Sequence, residues 1–192
     1  MFRKIITLVT ALCLFAGVAC AQSKNPVVEV DTTMGKIKIE LFEKEAPISV
    51  KNFIDYANSG YYKDTTFHRI IPNFMIQGGG LTAKLQPKPG DRPAIKNEAG
   101  NGLKNIRGSV AMARTGDPNS ATAQFFINVN DNTFLNHRDD TPMGYGYAVF
   151  GKVVEGMDVV DKIVAAPQER KNSVFQNVPK EAIVIKSVKV LK

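Results

Sequence analysis

The sequence predicts an all-β domain closed into an antiparallel barrel and accompanied by two helices. Three observations carry that expectation. Short apolar segments bounded by glycine, proline or asparagine recur along the chain, which is the pattern of antiparallel strands and not of alternating strands and helices. The first and last regular segments both alternate apolar and polar residues, so each has one buried face, and pairing them removes exposed sheet edges. In two places the apolar period changes to that of a helix.

Taken in order, Val27–Glu29 and Lys36–Leu41 alternate around Thr32-Thr33-Met34-Gly35 and predict a hairpin with Ile37, Ile39 and Leu41 on one face. From Pro47 to Asn58 the apolar positions Val50, Phe53, Ile54 and Ala57 follow helical spacing. Proline in the first turn and Asn58-Ser59-Gly60 at the end supply a start and a stop. Strands follow over Thr66–Ile71, Met75–Gln77, Ser109–Ala113, Gln124–Val129 and Tyr147–Val153. A second helix is expected over Gly156–Ala165, where Met157, Val160, Ile163 and Val164 are spaced helically. The last strand, Ala182–Leu191, breaks phase once, around Lys186-Ser187. Residues 87–93 form a surface loop, and no linker or internal repeat divides residues 22–192, which are read as a single domain.

Ahead of that domain, Arg3 and Lys4 precede an apolar run from Ile5 to Val18 and the small-residue exit Ala19-Cys20-Ala21. This order predicts a secretory signal peptide over residues 1–21. The run is shorter than the roughly 20 residues needed to span a bilayer, and no later segment is long and apolar enough to do so. Both cysteines, Cys13 and Cys20, fall inside the leader, so cleavage after Ala21 leaves none. In the alternative, Cys20 becomes a lipid-modified first residue, although Gly17 stands where such signals usually carry leucine.

The formal charge of +7 becomes +5 without Arg3 and Lys4, and the lysines are scattered. That pattern suits a solvated surface and excludes a dense nucleic-acid footprint. Two histidines and no cysteine after the leader leave too few ligands for a transition metal, so no metal is expected. No serine sits in a Gly-x-Ser-x-Gly elbow. Gly78-Gly79-Gly80 is followed by Leu81-Thr82-Ala83 and lacks the Lys-Ser or Lys-Thr of a phosphate loop; it marks a sharp bend or close backbone approach. His68 is read as a hydrogen-bonded core histidine.

One stretch places a cation on an apolar surface. If residues 67–71 and 75–77 are strands joined by Pro72-Asn73-Phe74, Ile71 opposes Met75 and Arg69 opposes Gln77. Phe67, Arg69, Ile71, Met75 and Gln77 then share one face, and His68, Ile70 and Ile76 point to the barrel interior. Apolar groups flanked by amides recur in Ala111-Met112-Ala113-Arg114, in Ala123-Gln124-Phe125-Phe126-Ile127-Asn128 and in Phe134-Leu135.

These segments, with Phe67-His68-Arg69-Ile70-Ile71-Pro72, Phe74-Met75-Ile76-Gln77-Gly78-Gly79 and Val149-Phe150-Gly151-Lys152-Val153, resemble the cyclophilin family of peptidyl-prolyl isomerases. The resemblance runs in order through nearly all of residues 26–191. With the export signal, the chain is most similar to the periplasmic bacterial members. The resemblance implies a closed eight-stranded antiparallel β-barrel capped by two α-helices. It also implies catalysis of rotation about X–Pro bonds without a cofactor, in the folding of exported proteins. The substrates would be proline-containing peptides and unfolded exported chains, and a periplasmic monomer is expected. A proline-peptide binding module or holdase with incidental isomerase activity is the alternative, and the residues leave it open.

By position, Arg69 matches the family's catalytic arginine, and Phe74, Met75, Phe126 and Leu135 match its proline pocket. Gln77, Ala113 and Gln124 match residues lining the peptide groove. Three positions depart from many eukaryotic relatives: Phe134 stands for a tryptophan, Tyr147 for a histidine and Arg114 for an asparagine. The first implies weak cyclosporin binding. The loop 136–146 is longer than in the compact relatives.

Overall fold

A computed structural model describes residues 25–90 and 92–191; the expected signal peptide lies outside these described residues. The strands are β1 (Val27–Thr32), β2 (Gly35–Leu41), β3 (Thr65–Ile71), β4 (Met75–Thr82), β5 (Ser109–Met112), β6 (Phe125–Asn128), β7 (Val149–Glu155), β8 (Gln168–Glu169), β9 (Val178–Pro179) and β10 (Val184–Leu191). Eight of them close a barrel in the order β1-β10-β3-β4-β6-β5-β7-β2, while β8 and β9 pair separately. The helices are α1 (Pro47–Asn58) and α2 (Met157–Val164).

Closure is made where the alternation of the chain ends predicts it. Val30 on β1 opposes Ile37 of β2 on one side and Val188 of β10 on the other, so the first strand is a central one. The phase break in the last strand is a bulge: Asp31 faces Ser187 while Thr32 faces Ile185, leaving Lys186 unopposed. The extra residue lets Ile183, Ile185 and Val188 all reach the core.

Two apolar clusters result from strand alternation. The larger fills the barrel and receives Val50 and Phe53 from α1 and Val160 and Ile163 from α2. The ring of Phe53 lies 5.0 Å from Tyr62 and 5.3 Å from both Phe125 and Phe150. The smaller cluster, Met75, Ala111, Phe126, Leu135 and Val149, lies apart from it, built from the alternate residues of β4, β5, β6 and β7. Strand neighbours one residue away, Ile76, Val110, Phe125 and Phe150 among them, belong to the large core.

The expected register of the β3–β4 hairpin is observed, with Ile71 opposite Met75, Ile70 opposite Ile76 and Arg69 opposite Gln77. Beyond Arg69 the expectation fails. Phe67 opposes Gly78, so His68 is an extra residue and the strand bulges there. Phe67 therefore turns into the core, and His68 lines an outer cavity instead of the barrel interior. The glycine run explains the geometry: a Cβ at Gly78 would lie 2.7 Å from the Thr66 carbonyl oxygen, and at Gly79, where φ is +86°, 2.8 Å from the Phe125 ring. Only glycine permits that approach and that backbone conformation.

Candidate active site

β3, β4 and β6 present a mixed polar and apolar outer surface beside the small cluster. A cavity of about 120 Å³ opens there, lined by Arg69, Met75 and Gln77 from the hairpin, Phe126 from β6, and Phe74, Ala113, Arg114, Leu135 and Tyr147 from the connections. Nine of the eleven residues singled out from sequence thus surround one space. Gln124 stands one step away, hydrogen-bonded to Gln77 and lining the adjoining groove. Phe134 is placed differently. It is 64% exposed and stacks on Phe74, with centroids 5.6 Å apart, outside the cavity lining.

The polar side of the cavity is a relay of amides. Arg69 Nη1 donates to Gln77 Oε1 at 3.3 Å, and Gln77 Nε2 donates to Gln124 Oε1 at 2.9 Å. Gln124 thereby fixes the carboxamide that orients the guanidinium. Arg69 Nη1 also lies 4.0 Å from Met75 Sδ. Among the described residues these are its hydrogen-bond partners and no carboxylate neutralises it. A permanent cation thus borders an apolar cavity with donors available for a ligand.

Arg114 is a cavity residue whose donors are turned elsewhere. Its Nε donates to Gly146 O at 2.9 Å, Nη1 to Thr115 O at 2.9 Å and Nη2 to Pro142 O at 3.0 Å. Its guanidinium lies 4.7 Å from the centroid of the Tyr147 ring, which meets Phe126 edge-on at 5.7 Å. Arg114 therefore ties the loop 136–146 to the wall of the cavity.

Sequence reasoning passed over the residues that hold the pocket's backbone. Asn132 Nδ2 donates to the Phe74 carbonyl at 2.8 Å and to Asn128 Oδ1 at 2.7 Å. Asn128 Nδ2 in turn donates to Asn105 Oδ1 and Ser109 Oγ. Asn105 Nδ2 reaches the carbonyls of Leu135 and Tyr147 at 3.3 and 3.2 Å. One buried network thus clamps three pocket residues, Phe74, Leu135 and Tyr147, by their main chain. Asparagines next to turns usually cap the local backbone, so nothing in their spacing distinguished them.

His68 is buried but only partly satisfied, because its Nδ1 has no hydrogen-bond partner among the described residues. Burial pushes its pKa down to about 4; a hydrogen bond with the Thr66 backbone opposes this, and the neighbouring Arg69 charge adds to it.

The described structure is thus an eight-stranded closed barrel with two helices and an arginine beside an apolar outer pocket, the architecture that the resemblance implies. Residues 27–190 match the family described as cyclophilin type peptidyl-prolyl cis-trans isomerase/CLD, and the chain belongs to that family. It is 50% identical over 193 residues to peptidyl-prolyl cis-trans isomerase A of Dickeya dadantii (strain 3937), covering 99% of this chain and 98% of the relative. It is 54% identical to peptidyl-prolyl cis-trans isomerase B of Escherichia coli (strain K12), covering 85% and 99%. Among solved structures, a cyclophilin type isomerase of Cryptosporidium parvum superposes with a TM-score of 0.71 at 29% identity, covering 88% and 98%.

Proposed function

We propose that this isomerase acts on exported, unfolded chains in the periplasm, with Arg69 as its catalytic group and the cavity beside it as the seat of the proline ring. The observation that carries the reading is the Arg69 guanidinium, held by Gln77 at the edge of a pocket of Phe74, Met75, Phe126 and Leu135.

The chemistry follows from the amide bond. An ordinary peptide bond resists rotation by about 18–20 kcal/mol because the nitrogen lone pair is delocalised into the carbonyl. X–Pro bonds populate both isomers but exchange over tens to hundreds of seconds. At the twisted transition state the lone pair returns to nitrogen, which then accepts a hydrogen bond better than in either ground state. A donor beside that nitrogen binds the transition state preferentially. Arginine serves without proton transfer because its planar fork stays charged at any working pH.

The apolar pocket anchors the pyrrolidine ring while the residue before proline swings. Burying such a ring contributes roughly 1.5–3 kcal/mol to binding. A rate gain of about 10⁵ needs on the order of 7 kcal/mol. A single charged hydrogen bond supplies about 1.5–3 kcal/mol, so anchoring and exclusion of water share the rest.

In a cis/trans exchange assay on X–Pro peptides, Arg69→Ala should lower turnover by about 10- to 100-fold, with a smaller loss of peptide affinity. Equal turnover in the variant would overturn the assignment. Export is supported by Arg3, Lys4, the apolar run Ile5–Val18 and Ala19-Cys20-Ala21. Intact-mass measurement on protein from cells should give a chain starting at Gln22; a lipid-modified Cys20 would replace the soluble periplasmic state by an anchored one, and an uncleaved chain would overturn export.

A further inference from the structure

Of the three consecutive glycines in β4, Gly78 is required by the approach of the Thr66 carbonyl, and Gly79 by its left-handed backbone and the Phe125 ring. Gly80 has neither reason. Its φ lies outside the left-handed range, so other residues can adopt its backbone, and a glycine inside a strand forfeits conformational entropy on folding. What occupies the space of its missing side chain is Gln124. A Cβ at Gly80 would lie 2.3 Å from Gln124 Cγ, 2.8 Å from Cδ and 2.8 Å from Nε2, and these are its three nearest atoms.

Both main chains at this contact are tied. The Gly80 carbonyl accepts from the Lys88 N–H at 2.9 Å, and the Gln124 carbonyl accepts from the Ala113 N–H at 2.9 Å. A methyl group at position 80 is therefore accommodated by the Gln124 side chain. Because Cγ itself collides, that side chain must leave its χ1 well and not merely swing its amide.

The carboxamide so displaced is the outer end of the relay to Arg69. Gln124 Oε1 accepts from Gln77 Nε2 at 2.9 Å, and Gln77 Oε1 accepts from Arg69 Nη1 at 3.3 Å. Among the described residues the Gln77 amide has no other hydrogen-bond partner. Gln124 alone therefore holds it from the side away from the guanidinium.

We propose that Gly80 is a positioning residue of the isomerase: by carrying no side chain it seats Gln124, and through Gln124 and Gln77 it orients the Arg69 guanidinium at the proline cavity. The proposal rests on Arg69 as the catalytic group.

The test is a double-substitution cycle read by cis/trans exchange on X–Pro peptides. Gly80→Ala should lower kcat by about two- to tenfold, the worth of one hydrogen bond, with KM little changed because the apolar walls of the cavity stay in place. Gln124→Ala should lower kcat to a similar extent. In that chain, which lacks Cγ, adding Gly80→Ala should change kcat by less than about twofold. A wild-type kcat in either single variant overturns the proposal, and so does an equal fall on adding Gly80→Ala in both backgrounds, which would mean general strain in β4. Should Gly80→Ala alone fail to fold, Gln124→Ala and the doubly substituted chain decide: equal kcat in the two, below that of the wild type, sustains the proposal, and a slower or unfolded double variant overturns it. Full turnover in Arg69→Ala would instead remove the catalytic reading itself, whereas an impaired Arg69→Ala beside an unimpaired Gly80→Ala removes only the positioning role.

Discussion

His68 and Arg69 are neighbours in sequence with opposite fates. The bulge in β3 puts the arginine at the mouth of the cavity and buries the imidazole beside it. The folded-state pKa of His68, about 4, lies below its ordinary value of 6.5. Between those values the unfolded chain binds the proton that the folded ring refuses, so stability falls as pH drops from 6.5 to 4 and levels off below. A shift of that size corresponds to about 3 kcal/mol. Urea unfolding at pH 7 and at pH 4.5 should show this loss in the wild type, and a folded His68→Phe chain should lose less over the same interval.

At the scale of elements, two supports come from far away in the chain. The first turn of α1 has no side-chain cap of its own, since Ala46 occupies the cap position. Instead the Glu98 carboxylate accepts from the N–H groups of Ile48 and Ser49 at 3.0 and 2.8 Å and from Ser49 Oγ at 2.7 Å. An anion at a helix N-terminus satisfies orphan donors and complements the dipole. Glu98→Ala should therefore cost about 1 kcal/mol in denaturant unfolding without changing turnover. The asparagine network is the second support. Asn132→Ala leaves the Phe74 carbonyl and Asn128 Oδ1 without their donor, and a buried group so stranded costs about 1–3 kcal/mol. Because Phe74 lines the pocket, KM for X–Pro peptides should rise in the folded variant. An unchanged KM with lowered stability would confine the network to a structural role.

For the whole molecule, closure depends on β10, which bridges β1 and β3. Removing residues 184–192 opens the barrel and leaves β1 and β3 as unpaired edges. Such a chain should elute as aggregates on size exclusion and lose cooperative unfolding; a monomeric, cooperatively unfolding product would show that the seven remaining strands suffice. Closure also places Arg69 and the cavity beside it on the outside. With the interior filled by Phe53, Phe67, Phe125 and Phe150, the proposed substrate cavity is left to the outward residues of β3, β4 and β6 and their connections.

The alternation of β1, β2 and β10, the spacing of α1 and α2, and the three-residue connection that opposes Arg69 to Gln77 were all legible in the sequence. Each reports a local rule, the side-chain period of a strand or helix or the geometry of a short turn, acting on a few consecutive residues. The resemblance of the motifs then gathered Phe74, Met75, Phe126, Leu135 and Tyr147 around that arginine. Other features were decided only in three dimensions. Phe67 turns inward because the main chain at Gly78 comes so close to Thr66 that the strand must bulge, and period alone cannot report a neighbour's approach. Glu98 reaches α1 across 50 residues, Arg114 finds the carbonyls of Pro142 and Gly146, and residues 174–177 form the outer wall beside His68. Glu98 and Arg114 find their partners among backbone groups, and main-chain amides and carbonyls are chemically alike at every position. Only the closed barrel determines which of them lies within reach.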